Sequence, residues 1–379
     1  MVESRSRKLI FVNQDSGYLM IDIINAYARA GYSCALITGR LVERNIPLHD
    51  SVKIDKIIRY NRSTLLKRLF TSLLALWQIL WIIVWKYPKS ELFIVSNPPF
   101  APLLPLFLKN PFSILIYDIF PDVLSELGYL KPDSRIIKLW GDANRKVFRK
   151  AKHVFTISQG MQEVLSNYMN GKMPQIVPIW TDNSFLKPVD PSVNPFIKKH
   201  KLTGRFIVMY SGNIGLSSEV ETLIEVASAI VDEKIFFVII GEGAKKDLIS
   251  QMVASMRLNN VLLLPWQATE ELPFSLSAAS LAVVTLGKQG SKLAVPSKFY
   301  NYMSVGAPIL CISPKGSEVE KLVSSYDCGR SFDTDNIPDI VQYIYELANN
   351  EDLCANTRLQ SLIASKDFQF ENVEKFLVS

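Results

Sequence analysis

Histidine is scarce in this chain of 379 residues. His49, His153 and His200 lie far apart with no ligand spacing, which excludes the usual Cys/His zinc site and a nucleophile triad centred on histidine. Cysteine is nearly as rare. Cys34, Cys311, Cys328 and Cys354 are scattered without paired spacing, so no disulfide framework is expected and a reducing cytosol suits the chain. No G-x-G-x-x-G follows the first apolar run, which counts against an NAD enzyme. At the amino end, Arg5-Ser6-Arg7-Lys8 is followed by Leu9-Ile10-Phe11-Val12, an apolar run too short for a signal peptide that reads instead as a first strand. No base-reading helix, zinc spacing or RNA-binding signature is present, so nucleic acid is not expected as a partner.

What is present is globular composition in a length that one hydrophobic core seldom serves, so two domains are expected. Charge is uneven. The first 150 residues hold 22 Lys and Arg against 12 Asp and Glu, a net +10, whereas the remainder holds 20 against 24, a net −4. An anionic surface is the natural partner of the first half.

Leu9 to Asn13 reads as a strand ending in Asn13-Gln14-Asp15-Ser16-Gly17. Leu19, Ile23, Ile24, Tyr27 and Ala28 then recur at helical spacing up to Gly31, and Ser33 to Thr38 makes a second strand. This is a βαβ unit of a parallel sheet, with Gly17 at the carboxyl edge where open α/β sheets bind ligands. Residues 65–85 form the most hydrophobic segment. The 17 residues from Leu69 to Trp85 span roughly 25 Å as a helix, against a hydrocarbon core of about 30 Å. Lys67, Thr71 and Gln78 fall on one side and leave a broad apolar face. Two readings stand: a helix packed on the sheet, or one lying in a membrane surface with Trp77, Trp81 and Trp85 near the headgroups and Arg59, Arg62, Lys67 and Arg68 beside anionic lipid.

Glu91 to Val95 is a strand ending in Ser96-Asn97-Pro98-Pro99, and the strand from Phe112 ends in Tyr117-Asp118-Ile119-Phe120-Pro121-Asp122. The loops at Gly17, Asn97 and Asp118 are therefore expected to converge on one sheet edge. Asp118 would orient or deprotonate an acceptor hydroxyl there, or cap the helix after Pro121. Asp133 is expected to cap a helix to Arg149, whose basic end reads as a solvated face. Residues 1–183 form the first domain, 184–204, with Pro188, Pro191 and Pro195, a linker, and 205–364 the second domain.

The second half alternates again: strand Phe206 to Tyr210, loop Ser211-Gly212-Asn213-Ile214-Gly215, helix Glu219 to Ile230, strand Ile235 to Ile240, then Gly241-Glu242-Gly243. The helix from Lys245 to Met256 and the strands Val261 to Leu264 and Ala282 to Thr285 follow. The stretch from Gly290 to Pro308 organises the rest. Ser297 is a good N-cap, Gly306 a good left-handed stop, and Lys298 adds a whole positive charge to the helix start. This is either an anion seat suited to phosphate or an ordinary capped helix with a surface lysine. Two α/β domains facing each other across a cleft is the economical architecture.

Taken together, Tyr210-Ser211-Gly212-Asn213-Ile214-Gly215, Glu221-Thr222-Leu223-Ile224-Glu225, Gly241-Glu242-Gly243 and Val295-Pro296-Ser297-Lys298-Phe299-Tyr300-Asn301-Tyr302-Met303 with Gly306-Ala307-Pro308 resemble the retaining glycosyltransferases of family 4, which have the GT-B fold. The resemblance is to the branch that builds bacterial surface polysaccharides and lipid-linked units, and Ser96-Asn97-Pro98-Pro99 and Tyr117 to Leu124 share it. It implies two Rossmann-like domains, a nucleotide-sugar donor on the second, a glycan or polyprenyl-linked acceptor on the first, and no metal or other cofactor. Gly212 and Asn213 would approach the diphosphate, Pro296, Ser297 and Lys298 would hold it, and Gly241, Glu242 and Gly243 would line it. Trp266 would lie beside the base, Asn301 by the ribose, and Gly17 would let the first sheet edge approach. Asn97 and Asp118 would meet the acceptor. The resemblance also implies that residues 365–379 return to the first domain. This sequence departs from the pattern at the two usual glutamates, here Leu293 and Asn301, at the phosphate-loop cations, here Asn213 and Ser218, and at the histidine before Asp118, here Tyr117. Lys298, helped by Lys288 or Lys292, is then expected to carry the charge.

Two rival readings use the same architecture. A non-hydrolysing nucleotide-sugar epimerase would want paired carboxylates and a cleft histidine. A transferase relative without its glutamates would serve as a membrane-surface assembly partner. The transferase, cytoplasmic and peripheral on the inner face of the cell membrane, is the leading expectation.

Overall fold

A computed structural model of the chain describes residues 8–43, 46–61, 63–126, 128–216, 218–287 and 295–377. The chain forms two compact units, the first running from Met1 to Ile179 and taking up Phe370–Ser379, the second from Trp180 to Gln369.

Unit 1 runs β1 (Lys8–Val12), β2 (Asp15–Ser16), α1 (Tyr18–Arg29), β3 (Ser33–Thr38), β4 (Arg40–Leu41), β5 (Lys53–Lys56), α2 (Leu65–Lys86), β6 (Glu91–Val95), a 3₁₀ turn (Ala101–Leu106), β7 (Phe112–Ile116), α3 (Asp122–Glu126), α4 (Arg135–Phe148), β8 (Val154–Thr156), α5 (Gln159–Ser166) and β9 (Gln175–Ile176). Seven strands pair in parallel in the order β5-β3-β1-β6-β7-β8-β9, and β2 pairs separately with β4. The central strands read as unbroken apolar runs because both faces are covered: Ile10, Phe11 and Val12, and Leu92 to Val95, are fully buried. Chain order reverses between β1 and β6, so the crevice at their carboxyl ends, bordered by Asn13–Gly17 and Ser96–Asn97, is where such sheets hold ligands. The tail closes the core. Phe376 packs between Phe93 and Phe155, with ring centroids 5.9 and 4.9 Å away, and its carbonyl accepts from the Tyr27 hydroxyl.

Unit 2 runs α6 (Pro195–Lys199), β10 (Phe206–Ser211), α7 (Val220–Ala229), β11 (Ile235–Ile240), α8 (Lys246–Ser255), β12 (Val261–Leu264), α9 (Leu272–Ser277), β13 (Leu281–Thr285), α10 (Ser297–Ser304), β14 (Ile309–Ile312), α11 (Glu318–Tyr326), β15 (Gly329–Phe332), α12 (Ile337–Asn349) and α13 (Glu351–Ser365). Its parallel sheet has the order β12-β11-β10-β13-β14-β15, with the reversal between β10 and β13.

Four expectations need correction. Residues 180–183 and 365–369 belong to unit 2 rather than to the first domain, which takes back only Phe370–Ser379. Residues 184–204 do not form a free linker: they lie within unit 2 and carry α6, which Asn194 caps by accepting from Phe196 N at 2.9 Å while donating to the Phe274 carbonyl at 2.8 Å. Ser134, not Asp133, caps α4, accepting from Ile137 N at 3.4 Å. Ser297 is the first residue of α10 rather than its cap; Pro296 holds the cap position and supplies no side-chain acceptor.

The apolar segment becomes α2, which, unlike an ordinary surface helix, carries apolar side chains on both its inner and its outer side. Ala75, Ile79 and Ile83 are fully buried, and polar groups join them on the inner side. The Thr71 hydroxyl accepts from Asn61 N at 3.2 Å, and Gln78 Oε1 accepts from Ile58 N at 2.8 Å. Gln14, itself fully buried, donates from Nε2 to both the Ile58 and Thr71 carbonyls at 3.1 Å. Further large apolar side chains face outward.

Candidate active site

In unit 2 the site is built at the carboxyl edge of β10, β11 and β13. The loop after β10 and the loop after β11 nest because glycines leave room. Ile214 N donates to the Glu242 carbonyl at 2.9 Å and Gly212 N to the Ile240 carbonyl at 2.9 Å. A Cβ on Gly241 would overlap the Gly212 carbonyl and one on Gly243 the Ile214 carbonyl, and both glycines have positive φ, +154° and +153°. Gly212, Asn213, Gly241 and Gly243 are thus brought together as expected. Asn213 is fixed from behind, its carbonyl accepting from the Tyr210 hydroxyl at 2.7 Å.

Lys298 joins this group from 86 residues downstream. It leaves the first turn of α10 and lays its Nζ over the Tyr210 ring, 3.8 Å from the centroid, where a Cβ on Gly212 would stand 3.1 Å from it. The side chain is half-buried, and desolvation of the ammonium pushes its pKa down from the ordinary lysine value to about 7. Because Pro296 offers no cap, the first amides of α10 have no side-chain cap among the described residues, and Ser297 stands exposed beside them. One desolvated ammonium therefore stands at Gly212, carried on the first turn of a helix whose cap residue makes no side-chain hydrogen bond, a combination suited to an anion.

The rest of α10 is held firmly. Asn301 Oδ1 accepts from the Thr181 hydroxyl at 2.8 Å, and Ser304 donates to Asn183 Oδ1 at 2.7 Å. Gly306, with φ +70°, ends the helix, and a Cβ there would meet Leu362 of α13 at 2.9 Å. Trp266 lies two residues beyond edge strand β12 and is half-exposed. Glu242 is engaged at the surface with Lys246 at 2.6 Å. Lys245 is a cation that sequence reasoning missed: its Nζ donates to the Ser218 carbonyl at 2.7 Å and pairs with Glu221 at 2.7 Å, beside the position where the family pattern would place a lysine. Lys288, Lys292 and Leu293 lie outside the described residues. A cavity of about 550 Å³ opens at the opposite, amino edge of this sheet, between Leu202, Phe206, Ala278 and Arg358, away from Lys298.

In unit 1 the edge loops are tied to one another. Gln14 N donates to the Asn97 carbonyl at 2.9 Å, and the Ser96 hydroxyl accepts from Tyr117 N at 2.9 Å and Asp118 N at 3.2 Å. Gly17 precedes α1 with nothing within 4 Å of where a Cβ would stand. Asp118 keeps an exposed side chain, yet the protein crowded around it desolvates the carboxyl and raises its pKa above the ordinary range. Burial likewise pushes the Tyr117 phenol up, with Tyr18 and Asp22 adding to the effect. Asn13 was not singled out from the sequence: its Oδ1 is buried just after β1 with no hydrogen-bond partner among the described residues, as is Gln14 Oε1. A buried acceptor left open at a sheet edge costs stability unless a ligand or water meets it.

The segment holding Gly212, Trp266 and Lys298 also carries a family signature. Residues 193–361 match the glycosyl transferases group 1 family. WbjE of Pseudomonas aeruginosa, a probable glycosyltransferase, is 28% identical over 234 residues, 60% of this chain and 57% of its own length. WcaI of Escherichia coli (strain K12), named for a glycosyl transferase of colanic acid biosynthesis, is 29% identical over 120 residues, 32% of this chain and 30% of its own. The chain thus spans less than two thirds of either relative. Among solved structures, Anabaena Alr3699/HepE in complex with UDP-glucose matches with a TM-score of 0.72 over 98% of each chain at 14% identity. What is shared at that identity is the fold, the GT-B arrangement of two α/β units with parallel sheets.

Proposed function

We propose that this chain is a retaining glycosyltransferase of the family-4 type, moving a sugar from a nucleotide-diphosphate sugar to a hydroxyl of a glycan or polyprenyl-linked acceptor in bacterial surface-polysaccharide biosynthesis. The observation that carries this reading is Lys298 Nζ standing over Tyr210 at the edge of Gly212, in front of the uncapped start of α10. As the glycosidic bond breaks, negative charge grows on the departing diphosphate, and a fixed cation with aligned amides stabilises that charge more than it stabilises the intact donor. Lys298 is the residue on which turnover depends most. Among the described residues Glu242 is paired with Lys246 at the surface rather than poised for covalent attack, so same-face attack is the favoured course: the acceptor hydroxyl approaches the face that the diphosphate leaves and passes its proton to the departing phosphate, with no metal required in this reading.

Unit 2 holds the donor through Gly212, Asn213, Gly241 to Gly243 and Pro296 to Lys298, with Trp266 beside the base and Asn301 by the ribose. In unit 1, Asn97 and Asp118 position the acceptor, Tyr117 stands next to them, and Gly17 leaves room at the edge. The nucleotide-bound HepE complex and the colanic acid name of WcaI support the donor class and the pathway class. The enzyme would work in the cytoplasm on the inner face of the cell membrane. A mass-spectrometric screen of nucleotide sugars against undecaprenyl-linked acceptors tests the reading. Epimer formed without transfer would replace it with an epimerase, and no nucleoside diphosphate binding at millimolar concentration would leave only the assembly-partner role.

A further inference from the structure

Among the described residues, α2 is the one helix long and apolar enough to cross a membrane, with a mean hydropathy of 1.6 over Leu66–Lys86, yet only 28% of that window is buried. Its outer side carries a continuous stripe at helical spacing. Leu66 is 81% exposed, Phe70 65%, Trp77 62%, Trp81 56% and Trp85 74%, with Leu69, Leu73 and Val84 close to half-exposed between them. So long an apolar stripe in open water marks a docking surface.

We infer that α2 lies flat in an anionic bilayer surface, stripe inward and axis in the membrane plane, and so holds the carboxyl edge of unit 1, where the helix begins, at the level of the lipid surface. This deepens the transferase reading and rests on it only for the meaning of that edge. Three observations choose the occupant and the depth. First, α2 contains no Asp or Glu, and Lys67 and Arg68 are exposed in its opening turns, with Arg59 just before and Lys89 just after the helix. A second copy docked by twofold symmetry would bring no acid from this helix to meet those cations, whereas anionic headgroups would. Second, three tryptophans four residues apart, at Trp77, Trp81 and Trp85, are the side chains that settle at the headgroup boundary. Third, the inner side of α2 cannot leave the protein for a bilayer core. Ala75, Ile79 and Ile83 are in the core of unit 1, Gln78 and Thr71 are hydrogen-bonded to the chain at Ile58 and Asn61, and Lys86 is paired with Asp55. Immersion is therefore shallow and one-sided.

The same geometry gives direction. A helix joining parallel strands runs opposite to them, so α2 begins at the carboxyl edge and ends at the amino edge. Its opening turns, exposed all round from Leu66 to Phe70, stand at the edge that carries Gly17 and Asn97, and Gln14 hydrogen-bonds the two places together. An acceptor bearing a lipid tail would reach that edge from the membrane plane rather than from bulk solvent. The 3₁₀ turn that packs on α2 also exposes Leu106, with Phe107 exposed just after it.

The test uses the full chain with vesicles of phosphatidylcholine alone or containing about one-third phosphatidylglycerol. Expected are co-sedimentation about tenfold stronger with the anionic vesicles, weakening as salt is raised, and quenching of tryptophan fluorescence by lipids brominated near the headgroup more than by lipids brominated at the chain ends. Phe70→Ser with Trp77→Ser and Trp81→Ser, all surface positions, should abolish sedimentation while far-ultraviolet circular dichroism and transfer to a water-soluble acceptor persist. Sedimentation unchanged in that triple variant, resistance to alkaline carbonate with quenching deepest at the bilayer centre, or a lipid-free dimer that the variant dissociates would each overturn the inference. Transfer without vesicle binding would remove the membrane surface and leave the transferase; vesicle binding without transfer to any acceptor would do the reverse.

Discussion

Lys298 rests its ammonium 3.8 Å from the centre of the Tyr210 ring, a weak cation–π seat that only partly replaces the water it has lost. With a pKa pushed down by burial to about 7, the free protein sheds this charge as pH rises through neutrality. A bound diphosphate would pull the pKa back up. Binding a nucleotide sugar, whose diesterified diphosphate does not itself titrate near neutrality, at pH 8 should therefore take up close to one proton, and at pH 6 almost none. Calorimetry in two buffers of different ionisation enthalpy measures this, and Lys298→Met should show no uptake at either pH. For stability the sign is the same way round: the unfolded chain holds this proton more tightly between about pH 7 and the ordinary lysine value, so the Lys298 contribution improves with rising pH across that window.

Two glycines of the same loops should behave differently. In Gly212→Ala the new Cβ meets only the tip of a flexible lysine, so stability should move by no more than about 0.5 kcal/mol. Diphosphate affinity should fall about tenfold, equivalent to roughly 1.4 kcal/mol, because the ammonium is displaced. Gly241→Ala drives a Cβ into the Gly212 carbonyl at a φ that favours glycine, and should cost about 1–3 kcal/mol by urea denaturation. Equal losses of stability in the two variants would contradict this separation.

Thr181→Val removes the hydroxyl that fixes Asn301. A loss of about 1 kcal/mol in stability is expected. The KM for the nucleotide sugar should rise severalfold with kcat little changed, since Asn301 is assigned to donor binding and not to bond breaking. A fall in kcat alone, at unchanged KM, would contradict that role.

Phe376→Ala should cost about 3–5 kcal/mol, because a fully buried ring between Phe93 and Phe155 leaves a cavity that a sheet core fills poorly. Denaturation followed separately in unit 1 and unit 2 should show the loss in unit 1.

Much of this architecture was legible because buried parallel strands announce themselves. Ile10 to Val12 and Ile235 to Ile240 are apolar runs bounded by loop residues, and every chemically suggestive loop followed such a run. The parts that stayed hidden lack that signal. β5 is an edge strand, Lys-Ile-Asp-Lys, with three exposed positions, and α13 buries Thr357, Ser361, Ala364 and Ser365, small or polar residues that draw no stripe. α12 does carry a stripe, at Ile340, Tyr343, Ile344 and Leu347. At the candidate site, the helix start and its lysine were readable from local chemistry at Lys298, but its neighbour Tyr210 was not, since only the crossover from β13 brings α10 back to β10. Asn301 gave no hint of Thr181 for the same reason. The polarity of α2 could be computed from sequence, but which side faced inward could not: burial of Gln78 and Thr71 depends on the backbone groups at Ile58 and Asn61 waiting for them.

The return of Phe376 to the first sheet also sets an order on synthesis. A chain emerging amino end first can assemble the strands of unit 1 early, but the slot between Phe93 and Phe155 stays open until all of unit 2 has been translated. The first domain to be made is thus the last to be finished, and during that interval the nascent protein carries an unsealed core for chaperones to guard.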